Sequence, residues 1–205
     1  MGRNTLLAAL AVTLVAPAAA RGQAVPAPAS STAATKWVVD PVHSQVDFRI
    51  RHLVGRVRGT FTDWYGLLET QDRDWTHGRV RVTVQTRSLD TGNKYRDADL
   101  RSNRFFAVDS FPQMKFESTR IIARDSSVEL RGVLTIKGRS RPIVLKGAYR
   151  GIARDREGHE RIGFEASTTI DRRDFGITWN EVVAGVSTIG DDVDITITIE
   201  AARIS

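Results

Sequence analysis

The residues of this 205-residue chain best suited to chemistry are four histidines, His43, His52, His77 and His159, and a handful of serines and acids near them. Metal binding would need two or more of these on one face. His43 and His52 are separated by an odd number of positions, so on one strand they would point to opposite faces. His77 and His159 fall in expected loops, and no His/Asp/Glu group shows the spacing of a zinc site, so no metal is expected. Nucleophilic catalysis fares no better. Ser44 and His52 share an expected face but lie eight residues apart, roughly 26 Å along an extended strand, too far for a nucleophile and its base. Asp90-Thr91-Gly92 matches the catalytic loop of aspartic proteases, which needs two such carboxylates sharing a proton. The chain has one copy, so the reading is a turn.

Two charged clusters stand next to aromatic or glycine residues. Arg96-Asp97, followed by Leu100 and Phe105-Phe106, could close the mouth of a cavity or could be a salt bridge and core anchors in a long connection. Asp171-Arg172 with Asp174-Phe175-Gly176 carries the same two readings, the glycine serving a tight turn.

The elements that must hold these residues are strands. Alternation with period two, the sign of one buried and one wet face, dominates the chain. Val46, Phe48, Ile50 and His52 alternate with Gln45, Asp47, Arg49 and Arg51. The pattern continues through Val57–Phe61, Val80–Val84, Met114–Ser118, Val128–Ile136, Ile143–Leu145, Ile162–Ile170 and Val193–Ile199, about eight strands. Lys137-Gly138-Arg139, Asp155–Gly158 and Gly190-Asp191-Asp192 are the short polar links that hairpins use. The long interruption Ser88–Pro112 holds a charged stretch, Tyr95–Asn103, expected to form a short helix, and a second irregular stretch runs from Asp171 to Ser187. The fold class expected is all-β: eight antiparallel strands closed as an up-and-down barrel, or stacked as a two-sheet sandwich. A closed barrel of eight strands can hold one small ligand, whereas a sandwich fills its own core. Inward Gly59, Gly132, Gly147 and Ala166 could leave room for a slender guest, or mark where the sheet bends.

Residues 1–24 read as a secretory signal peptide, with Arg3 ahead of an apolar run that ends in small residues. Residues 25–35, rich in Pro, Ala, Ser and Thr, read as a disordered leader, and 36–205 as one folded domain. There is no cysteine, so stability must come from a core. The formal charge is +6; removing residues 1–24 takes away Arg3 and Arg21 and no acid, leaving +4. These cations are interleaved with acids along strands. Nucleic-acid binding would want them grouped on one face with stacking aromatics, and is excluded. Transient attraction to a membrane surface fits better.

The run Trp37-Val38-Val39-Asp40-Pro41-Val42-His43-Ser44, then Val46-Asp47-Phe48 and His52, resembles the opening of the YceI-like family. The likeness continues through Gly59-Thr60-Phe61, Ser88–Asn93, Arg96-Asp97 with Phe105-Phe106, Phe111-Pro112, Gly132–Gly138 and Asp171–Gly176. It implies a lipocalin-like barrel, exported to the periplasm and often a homodimer, whose elongated apolar cavity holds a polyisoprenoid or similar amphiphile. It implies no catalytic set and no cofactor beyond the bound lipid. On this reading an isoprenoid or acyl tail lies along Val46, Phe48, Ile50, His52, Phe61, Val82, Val84, Met114, Phe116, Leu134, Phe164 and Ile195, with Arg96, Asp97, Phe105 and Phe106 at the mouth. Transport, storage, isoprenoid-quinone metabolism and stress response are the roles it suggests. Two rivals remain: an enzyme acting on a lipid head group through His52, Arg96 and Asp97, and a structural domain with a filled core.

Overall fold

In the structure, a computed structural model describing residues 34–71 and 74–204, the alternating segments become strands β1 (Ala34–Val39), β2 (Gln45–His52), β3 (Gly55–Phe61), β4 (Trp64–Gln71), β5 (Asp74–Gln85), β6 (Leu89–Asp90), β7 (Gln113–Arg124), β8 (Ser127–Ile136), β9 (Arg139–Arg154), β10 (Glu160–Asp171), β11 (Val182–Val183), β12 (Val186–Ser187) and β13 (Ile189–Arg203). A helix, α1 (Lys94–Arg101), and two 3-10 turns, Thr86–Ser88 and Arg172–Phe175, interrupt them. The expected signal peptide, and the leader as far as residue 33, lie outside the described residues. Ala34 and Thr35 are strand, not leader: they pair with Gln71 and Thr70 of β4, and Thr35 is buried. Threonine suits a strand as well as a linker, which hid this boundary.

Register shows how the pieces add up. β1 and β2 both run antiparallel along β13, through Trp37↔Arg203 in β1 and Val46↔Ile197 in β2. β3 and β4 in turn run along β2 and β1, through Phe48↔Gly59 and Trp37↔Leu68. Each pair is therefore one barrel strand with a break in it. Counted that way, eight strands each pair with their neighbours in sequence, and β13 closes on the first: a closed, antiparallel up-and-down barrel. Closure through β1 and β13 leaves β3 with an open edge, since beyond β2 it pairs only with the two residues of β6.

The breaks are chemically repaired. Between β1 and β2 the Ser44 hydroxyl, buried, accepts from the Glu200 N–H at 2.9 Å and donates to the Glu200 carbonyl at 3.1 Å, replacing the missing strand partner. Between β3 and β4 the Thr62 N–H and hydroxyl both reach the Ser88 carbonyl. Ser44 is thus a backbone substitute rather than a nucleophile.

The direction of the strands gives the barrel two unlike ends. At one, here the hairpin end, short links join β4 to β5, β7 to β8 and β9 to β10. At the other, the helix end, lie the Leu53-Val54 turn, the 86–112 connection with α1, the Lys137-Gly138 turn and the 172–188 segment. Lys137 and Gly138 have φ of 50° and 71°, the primed turn that matches strand twist. Gly190-Asp191-Asp192 is not a hairpin link: it lies inside β13, where the pairing with β2 slips between Ile189 and Val193. The slip exposes the Gly190 carbonyl and the Asp191 carboxylate to the Arg172 guanidinium, which takes both.

Candidate ligand cavity

Inward-facing residues of β2, β3, β5, β8 and β13 are apolar yet only half-buried. Val46, Phe48, Ile50, Val57, Val80, Val82, Leu134, Val193, Ile195, Ile197 and Ile199 all look into space that the chain's own side chains do not fill. That space is a cavity of about 650 Å³ along the barrel axis. Buried residues thicken its wall towards the helix end, where Phe61, Trp64, Val84, Leu89, Met114, Ile136, Ile170 and Phe175 pack together. At the hairpin end Trp37, Leu68, Ile162 and Ala201 form a second cluster. Trp75, Tyr149 and Phe164 stack in front of it, with ring centroids 5.0 to 5.5 Å apart.

Val46, Phe48, Ile50, His52, Phe61, Val82, Val84, Met114, Phe116, Leu134, Phe164 and Ile195 all line this cavity. The glycines do something other than make room. A Cβ on Gly59 would meet the Phe48 ring at 2.4 Å, and one on Gly132 would meet the Phe116 ring at 2.4 Å; on Gly147 it would strike the Glu165 carbonyl at 1.8 Å. Gly59 and Gly132 are seats for phenylalanine rings lying flat on the wall, and Gly147 lets two backbones approach. The rings, laid aside this way, leave the axis open.

At the helix end the lining turns polar, with Arg51, His52, Tyr95, Arg96, Asp99, Glu181 and Thr188 around it. Asn93 caps α1, accepting from the Tyr95 and Arg96 N–H groups at 3.1 Å, and so fixes where that helix begins. Arg96 and Asp97 do not pair with each other. Arg96 donates to the Thr91 hydroxyl at 2.8 Å and carbonyl at 2.9 Å, and the buried Asp97 carboxylate accepts from the Thr91 N–H and hydroxyl. Asp97 therefore does not reach the cavity: it holds the Asp90-Thr91-Gly92 turn against α1, while Arg96 reaches both the turn and the cavity wall. Phe105 and Phe106 line the cavity and act as anchors, Phe106 edge-on to Phe61 at 6.1 Å and Phe105 edge-on to Trp179 at 5.3 Å.

Sequence reasoning missed the inner face of β4, carried by Trp64, Gly66 and Leu68, because outward Leu67 and inward Gly66 blur the alternation. It also missed Ile177 and Trp179, which lie in a segment with no periodicity. What places them is Arg172, whose side chain is 4% exposed. Its guanidinium donates to the carbonyls of Ile177, Trp179 and Gly190 at 2.8 Å and to Asp191 at 3.0 Å. Burial pulls the Arg172 pKa down, and the Asp191 charge opposes that. One side chain thereby pins the 176–190 segment over the end of the barrel. Asp171-Arg172 and Asp174–Gly176 thus form this pin and its turn.

Two groups of side chains could be mistaken for metal sites: Asp40, His43 and Glu200, and Asp155, Glu157 and His159. Arg161 already sits among them, donating to Asp40 at 2.7 Å and Asp155 at 3.0 Å. Its charge balances the carboxylates. Hydrogen bonding from His43 and Arg161 holds the Asp40 pKa down at about 2, against the opposing effect of burial.

A closed eight-stranded antiparallel barrel, apolar inside and wider than its own side chains, belongs to the lipocalin-like class of barrels. Within that class the assignment is narrow: residues 37–201 match the YceI-like domain, and the chain belongs to the YceI-like family. A UPF0312 protein of Serratia proteamaculans is 34% identical over 178 residues, covering 85% of this chain and 90% of that protein. Among solved structures, Burkholderia cenocepacia BcnA superimposes with a TM-score of 0.68 at 21% identity, covering 79% of this chain and 98% of that one. A polyisoprenoid binding domain from Saccharophagus degradans, implicated in plant cell wall breakdown, does so with a TM-score of 0.65 at 14% identity, covering 82% and 98%.

Proposed function

We propose that this protein binds one long apolar lipid, an isoprenoid or acyl chain, inside the barrel and serves its transport, storage or use in isoprenoid-quinone metabolism after export to the periplasm. The observation that carries this reading is the apolar cavity of about 650 Å³. That size falls within the roughly 300–1,000 Å³ usual for small-molecule sites. Forgone packing costs about 24 cal/mol per Å³, so a dry cavity of this size would cost on the order of 15 kcal/mol, as much as a domain's whole net stability. A guest that supplies those contacts offsets the cost. Burial at about 25 cal/mol per Å² of apolar surface suffices to hold a long chain without a polar partner. The wall residues that would touch it are those named above, Val46 to Ile195, with Arg96 and His52 near the head group. No cofactor is needed for such binding.

Three further facts agree with the reading. A structural relative is named for polyisoprenoid binding. The leading residues have the make-up of an export signal, and no described helix is long and apolar enough to cross a membrane. The filled-core rival has no support in a barrel whose inner wall is half-exposed. The head-group enzyme loses Asp97, whose carboxylate is committed to Thr91.

The test is titration of delipidated protein with a fluorescent polyprenyl or acyl probe. Saturable binding near one probe per chain is expected. Ile195→Trp, which fills the cavity with apolar atoms and keeps the fold, is expected to weaken it by about tenfold or more, and Phe116→Asp to abolish it. Undiminished binding in a folded Ile195→Trp variant would place the lipid elsewhere.

A further inference from the structure

Hairpin tips in water ordinarily carry Gly, Asn or Asp. The β2–β3 tip carries Leu53 and Val54. Leu53 has φ of 50°, at the first central position of a two-residue turn that normally falls to glycine, and Val54 is fully exposed. A strained leucine at an exposed tip is unfavourable for folding on two counts. Beside it the β11–β12 hairpin turns through Ala184-Gly185 and leaves Val182, Val183 and Val186 each more than half exposed. The two tips are one unit: the Leu53 N–H donates to the Thr188 carbonyl at 2.7 Å, and Arg51 donates to the carbonyls of Leu53 at 3.1 Å and Ser187 at 3.3 Å. Five aliphatic side chains therefore stand together at the helix end of the barrel, with Tyr95, 77% exposed, at the start of α1.

Such a patch on a monomer marks a protein or membrane contact. Two observations favour a bilayer. First, the roots of the same two loops line the cavity: Arg51 and His52 on one side, Glu181, Thr188 and Ile189 on the other. An apolar chain leaving the cavity there would meet apolar side chains, and then hydrocarbon, without crossing water. Second, the charge of that end is net positive: segments 51–56, 86–112, 137–139 and 172–188 together hold eleven Lys and Arg against six acids, Glu181 at the root of the second hairpin among them. Neither 51–56 nor 182–188 contains an acid, Arg51 and Arg56 flank the first tip, and Lys94, Lys137 and Arg139 stand on the other loops of that end. Arg56 does share Asp194 at 3.1 Å, an exposed pair that leaves most of its donors free. At the hairpin end, residues 154–161 balance three arginines against three acids.

We propose that the helix end is a docking tip for an anionic lipid bilayer: Leu53, Val54, Val182, Val183 and Val186 enter the head-group layer while Arg51, Arg56 and Lys94 meet its phosphates. This deepens the reading of the cavity as a lipid site and rests on it for its purpose. Binding combines apolar insertion with attraction to anionic lipid, and each nearby cation contributes about fivefold.

The experiment is co-sedimentation of the full chain with phosphatidylethanolamine–phosphatidylglycerol vesicles and with phosphatidylcholine vesicles, alongside its extractable lipid. The wild type is expected on the anionic vesicles, falling off with salt. Val183→Asp/Val186→Asp, neither residue on the cavity wall, is expected to weaken binding by about tenfold or more with unchanged circular dichroism and unchanged bound lipid. Lys94→Gln is expected to lose about fivefold. Val144→Asp, on the outer wall between inward Ile143 and Leu145, is the control and should lose nothing. Vesicle binding that survives the double variant, or is lost equally in the control, overturns the proposal. So does a chain that ignores vesicles but forms a dimer the double variant abolishes, since the patch is then a contact between copies. Vesicle binding by a chain that takes up no lipid would instead sink the cavity reading and leave the docking surface standing.

Discussion

At the hairpin end of the barrel Trp37, Leu68, Ile162 and Ala201 are at most 7% exposed and press directly on one another. At the helix end the barrel is covered by two long segments, one fixed by Asp97 and Arg101 around α1, the other by Arg172. The first closure is apolar contact between strand residues; the second has the larger buried cluster, to which the covering segments bring Leu89, Phe105, Phe175 and Ile177, and adds hydrogen bonds between single side chains and backbone groups. Dispersion contacts are many and cannot be released one at a time, whereas a polar tether can be let go as a unit. A barrel that must be stable and yet admit a guest can place its access where the cover is held by such tethers.

The contrast can be broken most strongly at Trp37. Trp37→Ala should cost about 3–5 kcal/mol in urea unfolding, as a large buried aromatic does. Trp37→Phe should cost much less, because the buried indole N–H has no hydrogen-bond partner among the described residues to lose. A loss of lipid exchange in Trp37→Phe without a loss of stability would undo the division between the two ends.

Arg172→Ala comes next. It strips three carbonyls of their donor, leaves Asp191 with Arg173 alone, and should destabilise by about 2–4 kcal/mol. Amide exchange should rise in 176–190 well before it rises in β1, β4 and β10. Uniform loss of protection would mean that Arg172 supports the whole barrel rather than its cover.

A smaller effect sharpens the view of the wall. Gly59→Ala would push against the Phe48 ring at 2.4 Å, and the cavity gives that ring somewhere to go. The stability cost should be modest, about 1–2 kcal/mol, while probe capacity falls. Full probe binding at reduced stability would show that the ring moves outward.

The smallest effect lies at the Asp40–His43 pair. The Asp40 pKa is held down at about 2 against 3.8 for a free carboxyl, so its contribution is present above pH 3.8 and lost as pH falls through about 2. The His43 pKa is raised above 6.5 by hydrogen bonding to Asp40, so its contribution is complete below 6.5 and lost as pH rises through the raised value. The urea midpoint should thus fall slightly from pH 6 to pH 8, and His43→Gln should remove that fall.

Much of this was legible in the residues. Eight alternating segments are enough to specify eight strands, because period two is a local property, and the charged stretch Tyr95–Asn103 marks the helix, which runs Lys94–Arg101. Other features depend on partners far away in sequence. Ser44 completes a ladder with Glu200, 156 positions on, and Arg172 reaches Gly190 across the segment it pins. Gly59 and Gly132 suggested empty space, but the rings of Phe48, directly cross-strand from Gly59, and of Phe116, diagonally cross-strand from Gly132, lie over them. The inward residues were found by parity alone; that they surround open space depends on closure of the barrel, which no single strand encodes.

The central claim is that the interior belongs to a lipid, and its most direct test is organic extraction and mass spectrometry of the full chain purified from its native host without detergent. A single class of isoprenoid or acyl lipid at close to one molecule per chain is the result expected. A folded protein that yields no lipid, and takes up none when offered polyprenyl or acyl chains, would contradict it.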